Sequence, residues 1–160
     1  MTHDEYVEDV KRYSDMVFRI ALHSCANKED AEDILQNVFL KLLQNKKNFN
    51  SEEHKKSWLI RVTINECHSL FKSPWRSRRQ SLESITHFLA AQQEEVSDLF
   101  YAVMELPEKY RVVVNLYYYE DYSVKEIAKI LKMNESSIQT RLMRARGILK
   151  KKMKGVLNYE

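Results

Sequence analysis

Glycine and proline are nearly missing from this chain, with two of each among 160 residues. Hairpins, strand ends and sharp turns depend on those residues, so an all-α fold is expected. Two glycines also cannot write a GxGxxG or GxxxxGK loop, which removes the common phosphate-cradling motifs. Cysteine is as scarce. Cys25 and Cys67 stand far apart without CxxC spacing, each inside a helical pattern where a free thiol packs as a small hydrophobe. Long apolar runs are missing too: the longest stretch without a formal charge, Ser84 to Gln93, falls far short of a membrane span. Asp4, Glu5, Glu8 and Asp9 occupy the place where a signal peptide carries basic residues. The expectation is a cytoplasmic protein with no membrane insertion of its own.

Catalytic spacing is the last absence. His3, His23, His54, His68 and His87 form no HxxxH or HExxH pattern, and His23 with Cys25 at i and i+2 points to two faces of a helix. No Ser/His/Asp arrangement converges. Neither enzyme activity nor a metal or cofactor is expected.

Amphipathic periodicity is present throughout. Thr2 and Glu5 form a capping box ahead of Tyr6, Val10, Tyr13, Val17, Ile20 and Ser24, a stripe at alternating steps of four and three. Asn27 caps a second helix whose buried side is Ala31, Ile34, Leu35, Val38, Phe39, Leu42 and Leu43. Gln44 to Asn50 reads as a loop, and Ser51 caps a third helix through Trp58, Leu59, Val62, Leu70 and Phe71, stopped by Pro74. Trp58 is assigned to the core. Three such helices close a small bundle over residues 1–75. Residues 76–95, with Arg76, Arg78 and Arg79 at one end, read as a flexible linker with at most a weak helix from Ile85 to Ala91. A second domain over 96–160 begins with Val96, Leu99, Phe100 and Val103. Pro107 is expected at the first position of the next helix, which carries Tyr110, Val113, Val114 and Tyr117 to about Glu120.

Charge is placed unevenly. From Leu131 to Lys154 there are eight basic residues against Glu135 alone, seven net positive charges in a chain whose total is +3. The remainder therefore carries four net negative charges, and a polyanion is expected at the C-terminal end. Ser123 and Glu126 form a second capping box before Ile127, Ala128, Ile130 and Leu131; Lys132 and Met133 turn the chain; Asn134 caps a longer helix that buries Ile138, Leu142, Ala145 and Leu149. A short helix, a three-residue turn and a longer basic helix is the helix-turn-helix, whose second helix enters the major groove of DNA. Ser137, Thr140, Arg141 and Arg144 fall at i, i+3, i+4 and i+7 opposite the buried stripe. Arginine can bond guanine O6 and N7 together, and serine or threonine can bond base edges or phosphate. Arg146 and the run from Lys150 to Lys154 are better placed for phosphates; the role of Gln139 stays open.

With both domains in view, the chain resembles the extracytoplasmic-function (ECF) sigma factors, the two-domain members of the sigma-70 family. Asp30-Ala-Glu-Asp-Ile-Leu-Gln-Asn-Val-Phe39 is similar to the family's DAEDLxQexF. Trp58-Leu-Ile-Arg-Val-Thr-Ile-Asn65 is similar to WLyrIArN, and Leu106-Pro-Glu-Lys-Tyr-Arg111 to LPexyR. Tyr122-Ser-Val-Lys-Glu-Ile-Ala128 with Ser137-Ile-Gln-Thr-Arg-Leu-Met-Arg-Ala-Arg146 is similar to the family's helix-turn-helix. The four motifs stand in the family's order and spacing, and the resemblance covers nearly all 160 residues.

The resemblance implies a subunit that binds core RNA polymerase, through its beta-prime and beta subunits, and directs it to promoter DNA, with a cognate anti-sigma factor as a further partner. It implies polymerase contacts at Asp30, Asp33, Gln36, Asn37 and Leu40, the last an apolar residue outside the buried stripe. It implies −10 element contacts at Lys56, Arg61, Asn65 and Lys72, with a flipped base held near Phe49 to Lys56. The −35 element falls to Ser136, Ser137, Thr140, Arg141, Arg144 and Arg146. Two positions depart from the pattern: Lys132 stands where many members have glycine, and His68 where an acidic residue is usual. A free-standing helix-turn-helix repressor or activator remains the rival reading, and it requires a dimer seam or ligand pocket in residues 1–75.

Overall fold

The computed structural model describes residues 1–72 and 98–157. Within them the chain is helical without a strand, and it divides into two compact units. The linker at 76–95, its arginines, the helix expected at Ile85 to Ala91, and Val96 lie outside the described residues.

The first unit has three helices: α1 (His3–Cys25), α2 (Lys28–Gln44) and α3 (Glu52–Lys72). Local side-chain chemistry sets their starts. Thr2 Oγ1 accepts from the Glu5 N–H at 3.1 Å while the Glu5 carboxylate accepts from the Thr2 N–H at 2.9 Å. Asn27 accepts from the Asp30 N–H at 2.7 Å, and Ser51 from the His54 N–H at 3.0 Å. Each satisfies a donor that the first helical turn leaves without a partner. All three helices pack on one another. Their shared core holds Val17, Ile20 and Ala21 from α1, Ala31, Ile34, Val38 and Leu42 from α2, and Leu59, Ile60, Thr63 and Cys67 from α3. The buried Thr63 hydroxyl is satisfied by the Leu59 carbonyl at 2.7 Å. Burial of each large aliphatic side chain there contributes roughly 1.5–3 kcal/mol.

Two sequence expectations need correction here. Leu43 is 56 % exposed rather than buried, beside Leu40 at 50 %. Leu43 stands at the edge of the apolar stripe of α2, and only the middle of a stripe is covered by two neighbouring helices. Trp58 and Val62 are half-buried; α3 turns Leu59, Ile60, Thr63, Ile64 and Cys67 inward instead. Trp58 packs at the edge of the core against the loop before α3, its ring 5.5 Å from Phe49 in an edge arrangement.

The second unit has α4 (Asp98–Met104), α5 (Glu108–Val114), α6 (Val124–Leu131) and α7 (Glu135–Leu157). Pro107 is the residue before α5 rather than its first residue, with an extended ψ of 146°. Arg111 is buried and its Nη1 donates to the Met104 carbonyl at 2.8 Å, satisfying an acceptor that the end of α4 leaves open. After α5 the chain runs through one wider turn, Asn115–Tyr119, of i→i+5 hydrogen bonding, which the sequence pattern carries as ordinary helix. Glu120 N–H bonds to the Asn115 carbonyl at 3.0 Å, and Tyr122 N–H to the Leu116 carbonyl at 3.0 Å. That turn closes the helix early and presents Tyr118 and Tyr119 to solvent. The core collects Phe100, Val103, Val113, Leu116, Ile127, Ile138, Leu142 and Ala145. Leu149, expected inside, is half-buried near the far end of α7.

Candidate nucleic-acid interface

Geometry between α6 and α7 decides what the basic helix can present. Ser123 Oγ accepts from the Glu126 N–H at 3.1 Å and Glu126 accepts from the Ser123 N–H at 3.0 Å, so α6 starts at the expected residue. It ends at Lys132, which adopts the left-handed conformation at φ 55°. A residue with a Cβ pays roughly 1–2 kcal/mol there. Asn134 then accepts from the Ser137 N–H at 2.9 Å and starts α7.

On α7, Ile138, Leu142 and Ala145 are buried; on the other side Ser136 and Arg144 are exposed and Ser137, Thr140 and Arg141 half-buried. Ser136, Ser137, Thr140, Arg141 and Arg144 line one groove of about 280 Å³ with Lys109, Tyr110 and Met133. Thr140 Oγ1 donates to the Ser136 carbonyl at 2.9 Å, which uses its proton and leaves the oxygen as an acceptor. Among the described residues neither Arg141 nor Arg144 has a carboxylate partner. Lys109 and Tyr110 are additions that sequence periodicity on α7 misses; their signal lies in the Leu106 to Arg111 motif, which brings the start of α5 beside the turn.

Arg146 lies elsewhere. Its Nε donates to the Tyr118 hydroxyl at 2.7 Å, and its guanidinium sits 5.6 Å from the Tyr117 ring and 5.7 Å from the Tyr118 ring. Lys152 of the basic run is paired with Glu105 at 2.7 Å.

In the first unit, Arg61, Asn65, His68 and Lys72 fall at steps of four, three and four along α3, and Asn65, His68 and Lys72 are exposed. Lys56 is half-buried, about half a turn around the helix from Asn65. It lies at the start of the second turn of α3, shortly after the loop that precedes this helix. That loop and the adjoining helix starts form an open groove of about 610 Å³ whose walls include Lys46, Lys47, Asn48, Phe49, Glu52 and Lys55. The Phe49 ring meets His54 edge-on at 5.4 Å, and His54 Nδ1 accepts from the Asn50 N–H at 3.0 Å. Lys55 Nζ lies 6.0 Å from the centre of the Phe49 ring.

A set of ion pairs backs this wall. Lys55 Nζ reaches Asp9 Oδ2 at 3.0 Å and Glu52 Oε1 at 3.4 Å, and Glu52 Oε2 accepts from the Tyr13 hydroxyl at 2.5 Å and from Arg12 at 3.3 Å. Burial opposes the charge on Lys55, but the hydrogen bond and charge of Asp9, with Glu52, more than offset it and hold the ammonium pKa above its ordinary value. The Tyr13 hydrogen bond, with Lys55 and Arg12, holds the Glu52 carboxyl below its ordinary range. Burial first, then the Glu52 bond, raises Tyr13.

On α2, Asp33, Gln36, Asn37 and Leu40 are exposed and Asp30 is half-buried, all on one side. Asp33, Gln36 and Asn37 line a groove of about 500 Å³ shared with Glu66, Ser69 and Leu70 of α3. Lys41 and Glu66 form an ion pair along its edge.

Comparison with known proteins follows the same division. Residues 10–77 match the family model "Sigma-70 region 2", and residues 98–149 match "Sigma-70, region 4". RNA polymerase sigma factor SigV of Bacillus subtilis is 30 % identical over 131 residues, covering 80 % of this chain and 78 % of that protein. The chain belongs to the ECF sigma factors of the sigma-70 family. Other relatives agree: ECF sigma factor SigM of Bacillus subtilis is 29 % identical over 94 % of each chain. Among solved structures, CnrH in complex with the cytosolic domain of CnrY superposes with a TM-score of 0.73 at 19 % identity, covering 96 % of this chain and 90 % of that one. The Bartonella quintana sigma factor RpoE, in complex with the anti-sigma factor NepR, superposes at 0.68 and 18 %, covering 94 % and 97 %. Both establish the likeness of fold. As a sigma factor, the protein recognises promoters and initiates transcription with RNA polymerase. No helix among the described residues is long and apolar enough to cross a membrane.

Proposed function

We propose that this sigma factor divides promoter reading between two domains, 1–75 and 96–160 joined through 76–95, and docks on core polymerase through α2. The second domain reads the −35 element: Arg141 and Arg144 read base edges, Ser136, Ser137 and Thr140 bond base edges or phosphate, and Arg146 stands beside the duplex as a cation held by Tyr118. One observation carries this reading. Two arginines without carboxylate partners share an open groove with three hydroxyl side chains on the second helix of a helix-turn-helix.

In the first domain, Arg61, Asn65 and Lys72 face the −10 element along α3. Lys46 and Lys47 supply positive charge at the loop groove, where Phe49 offers a ring face to a flipped base, and Lys56 adds a cation from the following helix. The face of α2 formed by Asp30, Asp33, Gln36, Asn37 and Leu40, extended by Leu43, docks on the beta-prime subunit, and the second domain meets the beta subunit. The Bartonella quintana sigma factor solved with the anti-sigma factor NepR supports a cognate anti-sigma factor as the inhibitor here. The role is that of a transcription subunit without catalytic residues of its own, acting in the cytoplasm. Run-off transcription with reconstituted polymerase tests the division: Arg141→Ala abolishes −35-dependent transcription with polymerase binding intact, and Asp33→Ala does the reverse. Equal loss of both activities in either variant contradicts it.

A further inference from the structure

The ion-pair set behind the loop groove is built in a way that packing alone does not require. Asp9 is 4 % exposed, while the other acidic residues of this stretch, Asp4, Glu5 and Glu8, are exposed, and it meets a lysine 46 residues away. Its two oxygens lie 3.1 and 3.0 Å from Lys55 Nζ. Lys55 in turn lines the groove and stands over Phe49. Glu52, another wall residue, takes the remaining grip on Lys55 and is itself fixed by Tyr13 of α1. A solvated lysine at a groove wall samples many rotamers, whereas one held by a buried carboxylate keeps a single direction.

We propose that Asp9 is a positioning residue for base recognition: through Lys55, and with Glu52 and Tyr13, it fixes the wall on which the Phe49 ring receives an unpaired −10 base. The inference rests on the assignment of the loop groove to that base. It adds Asp9, a buried residue of α1 that does not line the groove, to the residues that set promoter selectivity. Preorganisation is the mechanism: a wall held in place before the base arrives discriminates by shape, and a wall that must be ordered by the base discriminates less.

Holoenzyme reconstituted from core polymerase and the full chain is the system for the test, with open-complex formation read on a pool of duplexes randomised across the −10 element. Phe49→Ala identifies the position read by the groove, because its base preference flattens there. Asp9→Asn flattens the same position about tenfold, the discrimination a shaped pocket provides between similar groups, and keeps the preferences at all other positions. Asp9→Glu restores most of it. Glu52→Gln, an exposed change that spares the buried charge pair, gives a smaller effect at the same position and decides the matter if Asp9→Asn does not fold. A merely structural role would lower open complexes on every sequence alike, and that result overturns the proposal. So does an unchanged profile in Asp9→Asn and Glu52→Gln while Phe49→Ala flattens one position; the groove assignment then stands alone. If Phe49→Ala changes no position, the groove assignment itself is wrong and the role of Asp9 falls with it.

Discussion

Leu40 and Leu43 offer a sharp prediction because both are half exposed on a helix whose inner face is fully packed. Full burial of a leucine contributes roughly 1.5–3 kcal/mol, and about half of each side chain is still in water. Covering the remainder on a partner is therefore worth about 1 kcal/mol per leucine, or about 2 kcal/mol for the pair if both are covered. Since 1.4 kcal/mol is a factor of ten in affinity, Leu40→Ala with Leu43→Ala should weaken binding to core polymerase about thirtyfold. The fold should lose little, because neither side chain belongs to the packed core and alanine, the better helix former, offsets part of the half of each leucine already covered. Titration of labelled core polymerase with the variant reads the affinity, and thermal unfolding reads the fold. An affinity within about twofold of the parent, at unchanged melting temperature, would refute the assignment of this face. A fall in melting temperature larger than that small loss would show instead that Leu43 is covered further within its own chain.

Other expectations follow from the backbone and the charges. The two glycines, Gly147 and Gly155, lie inside α7 with nothing within 4 Å of an added Cβ, while Ala26, Asp121 and Lys132 hold the left-handed positions. Gly147→Ala should stabilise the second unit by about 0.5–1 kcal/mol, and Lys132→Gly should act in the same direction, both read by chemical denaturation. Tyr118→Phe keeps both rings beside Arg146 and removes one exposed hydrogen bond, so a loss of about 0.5 kcal/mol in the same assay is expected. The Glu52 carboxyl sits below its usual value of 4.5, so its stabilising effect is complete above that pH and is lost as pH falls through the lower, folded value. Thermal unfolding of the first unit should show this acid-side loss, and Glu52→Gln should reduce it.

Residues that act on their own neighbours were legible in the sequence. Thr2, Asn27, Ser51, Ser123 and Asn134 cap helices by bonding an N–H three residues on, a contact that spacing alone specifies. The side of α7 turned away from the core was legible for the same reason: buried Ile138, Leu142 and Ala145 leave Thr140, Arg141 and Arg144 on the other side. What periodicity does not carry is how far a neighbouring helix reaches around a stripe. Leu43 and Trp58 stand at stripe edges, and their exposure depends on where the other helices lie. Contacts across long separations were also out of reach. Arg146 finds Tyr118 at 28 residues and Lys55 finds Asp9 at 46, and the wider turn at Asn115–Tyr119 that presents Tyr118 has no marker residue. Asp9 reads in the sequence only as one acidic residue among four near the N-terminus.

The most direct measurement of the division of labour crosses protein variants with promoter variants in one run-off transcription experiment. Wild-type holoenzyme, Arg141→Ala and Phe49→Ala are each tested on a promoter with both elements intact, with the −35 element replaced, and with the −10 element replaced. Arg141→Ala should lose its response to the −35 replacement and keep its response at −10, and Phe49→Ala should show the opposite pattern. Both variants responding to both replacements as the wild type does, or tight promoter binding by the chain without polymerase, would contradict it.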